Sequence, residues 1–330
     1  MVSALQLEAL DVQLAAHGHP ARRMALGQRA EILVSERGGR VYGPFIDGED
    51  ALGWAPNAAD LEAALAERAW NIGGERIWLA PEGLFNYADP ARLLETYRVD
   101  AAFDPGRWRL HAAGKGVRLA LAAEVPLTNG RGSVVVDVSR DIQPLPERTE
   151  EGVTIVGYRQ HIELRQISGP PLPLVPWLVR QVQPVGTAFL EAVEGARAQA
   201  VFGSPPGAAL LAKGGWWRVP FQGPGFFKTA HHRAAVGGGR IGFLGPGPSA
   251  VAVLYIPVTA RIADYPESLP QDAEATGQFA SLFYDEGRFG AYGEVELYGH
   301  RTPDGMGRLD LDTLLLTGPE AAVSRRIGLA

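Results

Sequence analysis

Residues 71–87 read NIGGERIWLAPEGLFNY, a short apolar run framed by two glycines and a proline. The two-residue period of an extended chain puts Arg76 and Trp78 on one face and Ile77 and Leu79 on the other. The Ile77 and Leu79 face is core. The other face carries a guanidinium beside an indole. Pro81 has no N–H for a sheet ladder, so it ends the run and delivers Glu82 to a loop at the sheet edge. Two uses of the polar face stand open. An indole stacks on apolar C–H faces while a guanidinium donates to hydroxyls or a carboxylate, which makes a sugar platform. Alternatively, Trp78 packs under a helix and Arg76 covers it with its stem.

Further along the chain the same kind of run recurs. GVRLALAAEV (116–125), GSVVVDVSRDI (132–142), GVTIVGYRQHIELRQI (152–167), PWLVRQVQP (176–184), SAVAVLYIPV (249–258), QFASLFYDE (278–286) and YGEVELYGH (292–300) are rich in β-branched and aromatic residues. The connections between them are too short for helical crossovers, so well over a dozen mostly antiparallel strands are expected, in one large sandwich. Helices are expected over 3–16, where Leu5, Leu7, Leu10 and Leu14 fit an apolar stripe, over 57–69 behind an Asn57 cap, and briefly after Asp89. The chain therefore divides into an N-terminal helical extension, 1–27, and a single β domain, 28–330. The 41 glycines and 25 prolines fall between strands without a period and read as turns. The proline-rich stretch 169–176 reads as a loop inside the domain, and 259–277 as a lid or rim loop.

An apolar fraction of 46% and a charged fraction of 21% suit a globular chain with a full core. A net charge of -6 with no long basic run argues against nucleic acid as a partner. The absence of cysteine removes disulfides, thiolate metal sites and cysteine nucleophiles. Neither a membrane-spanning run nor a signal-peptide pattern is present, which gives a cytoplasmic expectation. No cofactor motif appears: the glycine runs at 202–207 and 237–248 lack the features of a phosphate loop. Serine-hydrolase and zinc-protease motifs are missing too.

Two further stretches carry candidate chemistry. In GEVELYGH, Glu294, Glu296 and Tyr298 share one face, with the carboxylates about 7 Å apart at roughly 3.3 Å per residue. They read either as an acid and base flanking a sugar ring or as an ordinary solvated strand face. GPGFFKTAHHR places Lys228, His231 and His232 after a tight turn. Adjacent histidines point opposite ways on a strand, so they make poor joint metal ligands, and no metal is expected. Either one could donate a proton near neutrality. His161 and the histidines of HGH at 17–19 read as structural or exposed.

Taken in order, GGRVYGPFI (38–46), GGERIWLAPE (73–82), VPWLVRQV (175–182) and YGEVELYG (292–299) resemble segments of the galactose mutarotase-like superfamily, in particular a bacterial branch related to aldose 1-epimerases. The likeness runs from about residue 28 to 317. It implies a β-supersandwich whose concave sheet holds a carbohydrate or polyol. Arg76, Trp78 and Glu82 would then lie along one side of the groove, Trp177 and Gln181 across the middle, and Glu294 or Glu296 beside them, with Lys228 between the central and late strands. The departures bear on mechanism. The epimerases carry an Asn-His-x-x-Phe-Asn stretch supplying the general acid, whereas WLVRQVQP here has Arg180 and Gln181 and no histidine, and Gln181 transfers no proton at neutral pH. The early asparagine before tryptophan is also missing from DALGW (50–54).

Two functions follow as expectations. One is sugar epimerisation, with Glu296 or Glu294 as base and His231, His232 or Lys228 as donor. The other is a noncatalytic sugar-binding or scaffold protein that keeps Arg76, Trp78 and Trp177 as a platform. They differ in whether a proton donor and a carboxylate converge on one sugar carbon.

Overall fold

The computed structural model describes residues 5–128, 130–246, 249–257 and 264–329. Within them the protein is mainly β, with an 11-stranded sheet, a 10-stranded sheet and a separate two-stranded hairpin. In the first sheet, Arg40–Ile46, Glu75–Ala80, Val175–Val182, Tyr292–Tyr298, Gln278–Asp285, Phe226–His232 and Gln199–Gly203 lie side by side in that order. The second sheet is built around Ser249–Pro257, Gly307–Pro319, Val153–Ser168, Ser133–Glu150 and Gly116–Pro126. All of these neighbours are antiparallel.

Alternation builds the second sheet. Along Ser133–Glu150, Val134, Val136, Val138 and Ile142 are buried, and Asp137 between them is exposed. The strand turns into Val153–Ser168 through Glu151 and Gly152, at φ 50° and 79°. Two consecutive left-handed residues make the turn whose twist matches a hairpin, which explains a glycine there. The inward rows of both sheets share one core: Ile77, Leu79 and Leu178 of the first meet Val117, Val136 and Ile162 of the second. The two sheets form a sandwich.

Helices cover parts of the outer faces. Leu7–Ala16 and Ala58–Ala66 set Leu10, Leu14, Leu61 and Leu65 on Leu33, Tyr42 and Phe45 of the first sheet. Asn57 caps the second of these helices, its side chain accepting from the N–H groups of Ala59 and Asp60. Glu320–Ile327 packs Val323 and Ile327 on the outer face of the second sheet. No helix among the described residues is long and apolar enough to cross a membrane.

Several local expectations need correction. Residues 5–27 are not set apart as a helical extension, because Ala21–Ala25 pairs with Ala30–Ser35 and Leu5–Gln6 pairs with Glu49–Asp50 in the first sheet. Ala21–Ala25 buries only Met24, too little pattern to announce a strand. Glu75–Ala80 is a central strand and not an edge, so Pro81 ends it at one end of the sheet. The proline-rich stretch is the crossover from Val153–Ser168 in the second sheet to Val175–Val182 in the first. Of the expected rim loop at 259–277, residues 259–263 lie outside the described residues, and part of the remainder is the hairpin Ser268–Leu269 with Asp272–Thr276.

The same alternation that buries Val138 and Ile142 also turns Arg140 inward, where it has no exposure. Its charge is met by Glu75 of the facing sheet. Glu75 accepts from the Gln160 amide at 3.0 Å and from the Tyr255 hydroxyl at 2.6 Å, while the Arg140 Nε donates to Gln160 at 2.8 Å and Gln160 donates to Thr313 at 2.8 Å. A buried ion pair stands only when its remaining hydrogen-bonding capacity is used, as it is here. Arg140→Met leaves Glu75 without its cation and is expected to lower the unfolding free energy by about 3–5 kcal/mol, read from the urea midpoint. Adding Glu75→Gln is expected to recover part of that loss. A single variant as stable as the parent would show that the pair does not hold the sheets together.

Candidate functional site

The outward face of the first sheet carries three rows of side chains, fixed by register. Trp78, Trp177 and Tyr298 stand opposite one another, as do Arg76, Val179 and Glu296, and then Gln181, Glu294, Phe283 and Lys228. Seven of the ten residues singled out from the sequence thus line one cleft: Arg76, Trp78, Glu82, Trp177, Lys228, Glu294 and Glu296. They come from four strands and the turn after Pro81. Loops and short helical turns roof the cleft through Trp70, Tyr97 and Phe289, joined by Phe202 of the edge strand Gln199–Gly203, leaving a cavity of about 60 Å³ between its walls.

Lys228 is the hub of the floor. Its ammonium lies 3.0 Å from Glu296 and 3.1 Å from Glu82, with the Trp177 ring centre 4.7 Å away. Glu296 also accepts from the Trp177 Nε1 at 3.0 Å and from the Tyr298 hydroxyl at 3.4 Å. Arg76 forms the second pair, 2.9 Å from Glu294, and its guanidinium lies 4.1 Å from the Trp78 ring centre. The Trp78 indole donates to Asp104 at 2.9 Å, and Asp104 accepts from Arg40 at 2.9 Å. Arg40 reaches the carbonyls of Trp70 and Gly73, and so ties the roof segment to the floor. The two readings of Trp78 are therefore not exclusive: it is only 4% exposed and packed, yet it walls the cleft.

Burial governs the ionisation of these groups. It pushes Glu294 up to about 7, with Arg76 opposing and Glu296 reinforcing. Burial raises Glu82 as well, against the pull of Lys228. It also works against the charge of Lys228, but Glu296 and Glu82 outweigh it and hold the ammonium above the ordinary lysine value. Glu267, brought in by the loop before the Ser268–Leu269 hairpin, accepts from the Glu82 N–H at 2.8 Å. Burial, with the charge of Glu82, pushes Glu267 up to about 8. Both Glu294 and Glu296 are buried, which corrects the solvated-face reading of GEVELYGH.

Three sequence candidates fall elsewhere. Gln181 shares the row of Glu294, but its amide donates to Asn71 at 2.8 Å and it does not line the cleft. His231 faces the inter-sheet core, its ring centre 4.4 Å from that of Trp217 and its Nε2 3.1 Å from the Thr229 hydroxyl. Burial lowers it to about 3, so it stays neutral. His232 is exposed, and its Nδ1 accepts from the Ala234 N–H at 3.1 Å. Neither histidine reaches the cleft, and Lys228 is held as a cation. The proton-donor assignment to the two histidines therefore loses its geometric support; Lys228 stays in the cleft but is held firmly as a cation, and Glu294 and Glu82 are the acids on the floor that burial pushes toward the neutral form.

Sequence reasoning missed the roof, Asp104 and Glu267. Phe283 was within reach, since it lies on the Lys228 face of a strand already identified, but its partner strands are distant in sequence. No protein-family model matches the chain, and no curated protein is significantly similar to it in sequence.

Glu267 and Glu294 both favour the neutral acid when folded. Their contribution to stability is fully present below the ordinary carboxyl value near 4.5 and is lost as pH rises toward about 7 for Glu294 and about 8 for Glu267. Glu267→Gln is expected to lose less stability than the parent between pH 5 and pH 8.5, about the span of that window. Denaturant midpoints across the series measure this, and identical slopes would refute the buried neutral Glu267.

Proposed function

We propose that this protein is a carbohydrate- or polyol-binding member of the galactose mutarotase-like fold, with its ligand in the cleft over Arg76, Trp78, Trp177, Lys228 and Glu296. One observation carries this reading. Inside the aromatic walls, the Arg76 Nε and Nη1 and the Glu296 Oε1 are buried and have no hydrogen-bond partner among the described residues. Leaving such groups unpaired is costly. A polyhydroxylated ligand offers what they lack: a hydroxyl donates to Glu296 and another accepts from Arg76, while its C–H face lies on an indole. The sandwich architecture and the order of the four segments that resemble the superfamily support the same assignment.

A second reading, aldose 1-epimerase-like isomerisation, is favoured by Glu294. Glu296, fixed by Lys228 and Trp177, would take the proton of the anomeric hydroxyl. Glu294 in its acid form would protonate the ring oxygen as the C1–O5 bond breaks, and the reverse transfers would close the other anomer. This pairing replaces the histidine donors of the first expectation.

Quenching of the cleft tryptophans by a panel of aldoses and polyols tests the binding reading. Saturable quenching is expected, weakened roughly tenfold or more by Glu296→Gln, because a hydrogen bond to a charged group is lost. No saturable response across the panel would remove the carbohydrate assignment. Polarimetry on the sugars that bind tests the second reading: accelerated mutarotation abolished by both Glu294→Gln and Glu296→Gln is expected, and binding without acceleration would leave a noncatalytic binder.

A further inference from the structure

The cleft is divided by polarity. Its floor holds Arg76, Glu82, Lys228, Glu294 and Glu296, whereas Leu94, Val201, Phe202 and Phe289 at its mouth and roof offer no side-chain polar atom. Leu94 is 38% exposed and Phe289 is 43% exposed, and both are among the few large apolar side chains that the described residues leave in water. Phe202 is supported from beneath, stacked on Phe226 with ring centres 5.1 Å apart, and Phe289 lies 6.2 Å from the same Phe226 ring. This is a backed aromatic patch continuous with the polar floor. Isolated exposed hydrophobics need no explanation, but a cluster at the mouth of a cleft marks a binding surface.

We infer that the ligand is amphipathic: a glycoside whose sugar sits on the charged floor and whose alkyl or aryl aglycone lies against Leu94, Phe202 and Phe289. This inference rests on the carbohydrate reading of the floor and extends it. A free oligosaccharide would bring hydroxyls onto Leu94, Val201, Phe202 and Phe289, where they would lose water and meet no side-chain partner. A hydrocarbon group there loses only unfavourable contact with water.

The test compares methyl and phenyl glycosides of the same sugar, across gluco, galacto, manno and xylo pairs, by tryptophan quenching and calorimetry. Phenol and benzyl alcohol serve as sugar-free controls. Phenyl glycosides are expected to bind roughly tenfold tighter than their methyl counterparts, as buried apolar area requires. Phe289→Ser and Leu94→Ser, checked for an unchanged melting curve, are expected to cut that preference at least threefold. Equal affinity within each pair would overturn the aglycone site and leave the carbohydrate reading intact. Phenol or benzyl alcohol binding as tightly as the phenyl glycosides would overturn the carbohydrate reading itself. Failure of every glycoside to bind would overturn both.

Discussion

Side chains alternate along Glu75–Ala80, so Glu75, Ile77 and Leu79 face the second sheet whenever Arg76 and Trp78 face the cleft. A slip of one residue would turn Arg76 into the apolar core and Glu75 away from Arg140. The ion pair between Glu75 and Arg140 makes that slip costly, because either charge left alone inside the sandwich is strongly destabilising. The register that closes the sandwich is thus also the register that aims the cleft. Val175–Val182 on one side, and Tyr292–Tyr298 beyond it, inherit the setting through their own pairing.

The floor of the cleft is a set of opposed charges with little freedom to move. Lys228 sits between two carboxylates and near an indole, and Arg76 sits between Glu294 and Trp78. Because Glu267 and Glu294 favour the neutral acid, the site does not accumulate the full negative charge that its carboxylates suggest. Polar groups fixed in this way need little reorganisation when a ligand arrives, which is the condition under which they act most strongly.

What the sequence made legible were the features carried by one strand at a time. The period of two in ERIWLA and in GEVELYGH identified which side chains share a face, and Pro81 marked where the first of these strands stops. What it hid were relations between strands. Nothing local says that residues near 76, 177, 294 and 228 become neighbours, since those pairings join segments far apart in the chain. For the same reason Arg140 reads as one polar residue in a valine-rich strand until Glu75 appears opposite it. The adjacent histidines show the limit of a local argument most clearly. Alternation correctly sets them on opposite sides, but His231 falls to the core side and His232 lies past a register shift, beyond the cleft.

The division between a floor on the central strands and a roof borne mostly on loops bears on how such a protein diversifies. Trp78 and Arg76 cannot drift without disturbing Asp104, Arg40 and the segment they tie down, so the floor is locked to the stability of the whole chain. Leu94 and Phe289, partly in water and outside the strands, carry no such burden. Selection can exchange residues of that kind at small thermodynamic risk, since exposed loop positions tolerate change. Within a lineage, new ligand preferences would therefore accumulate at the roof, while the charged floor stays as an ancestral constant.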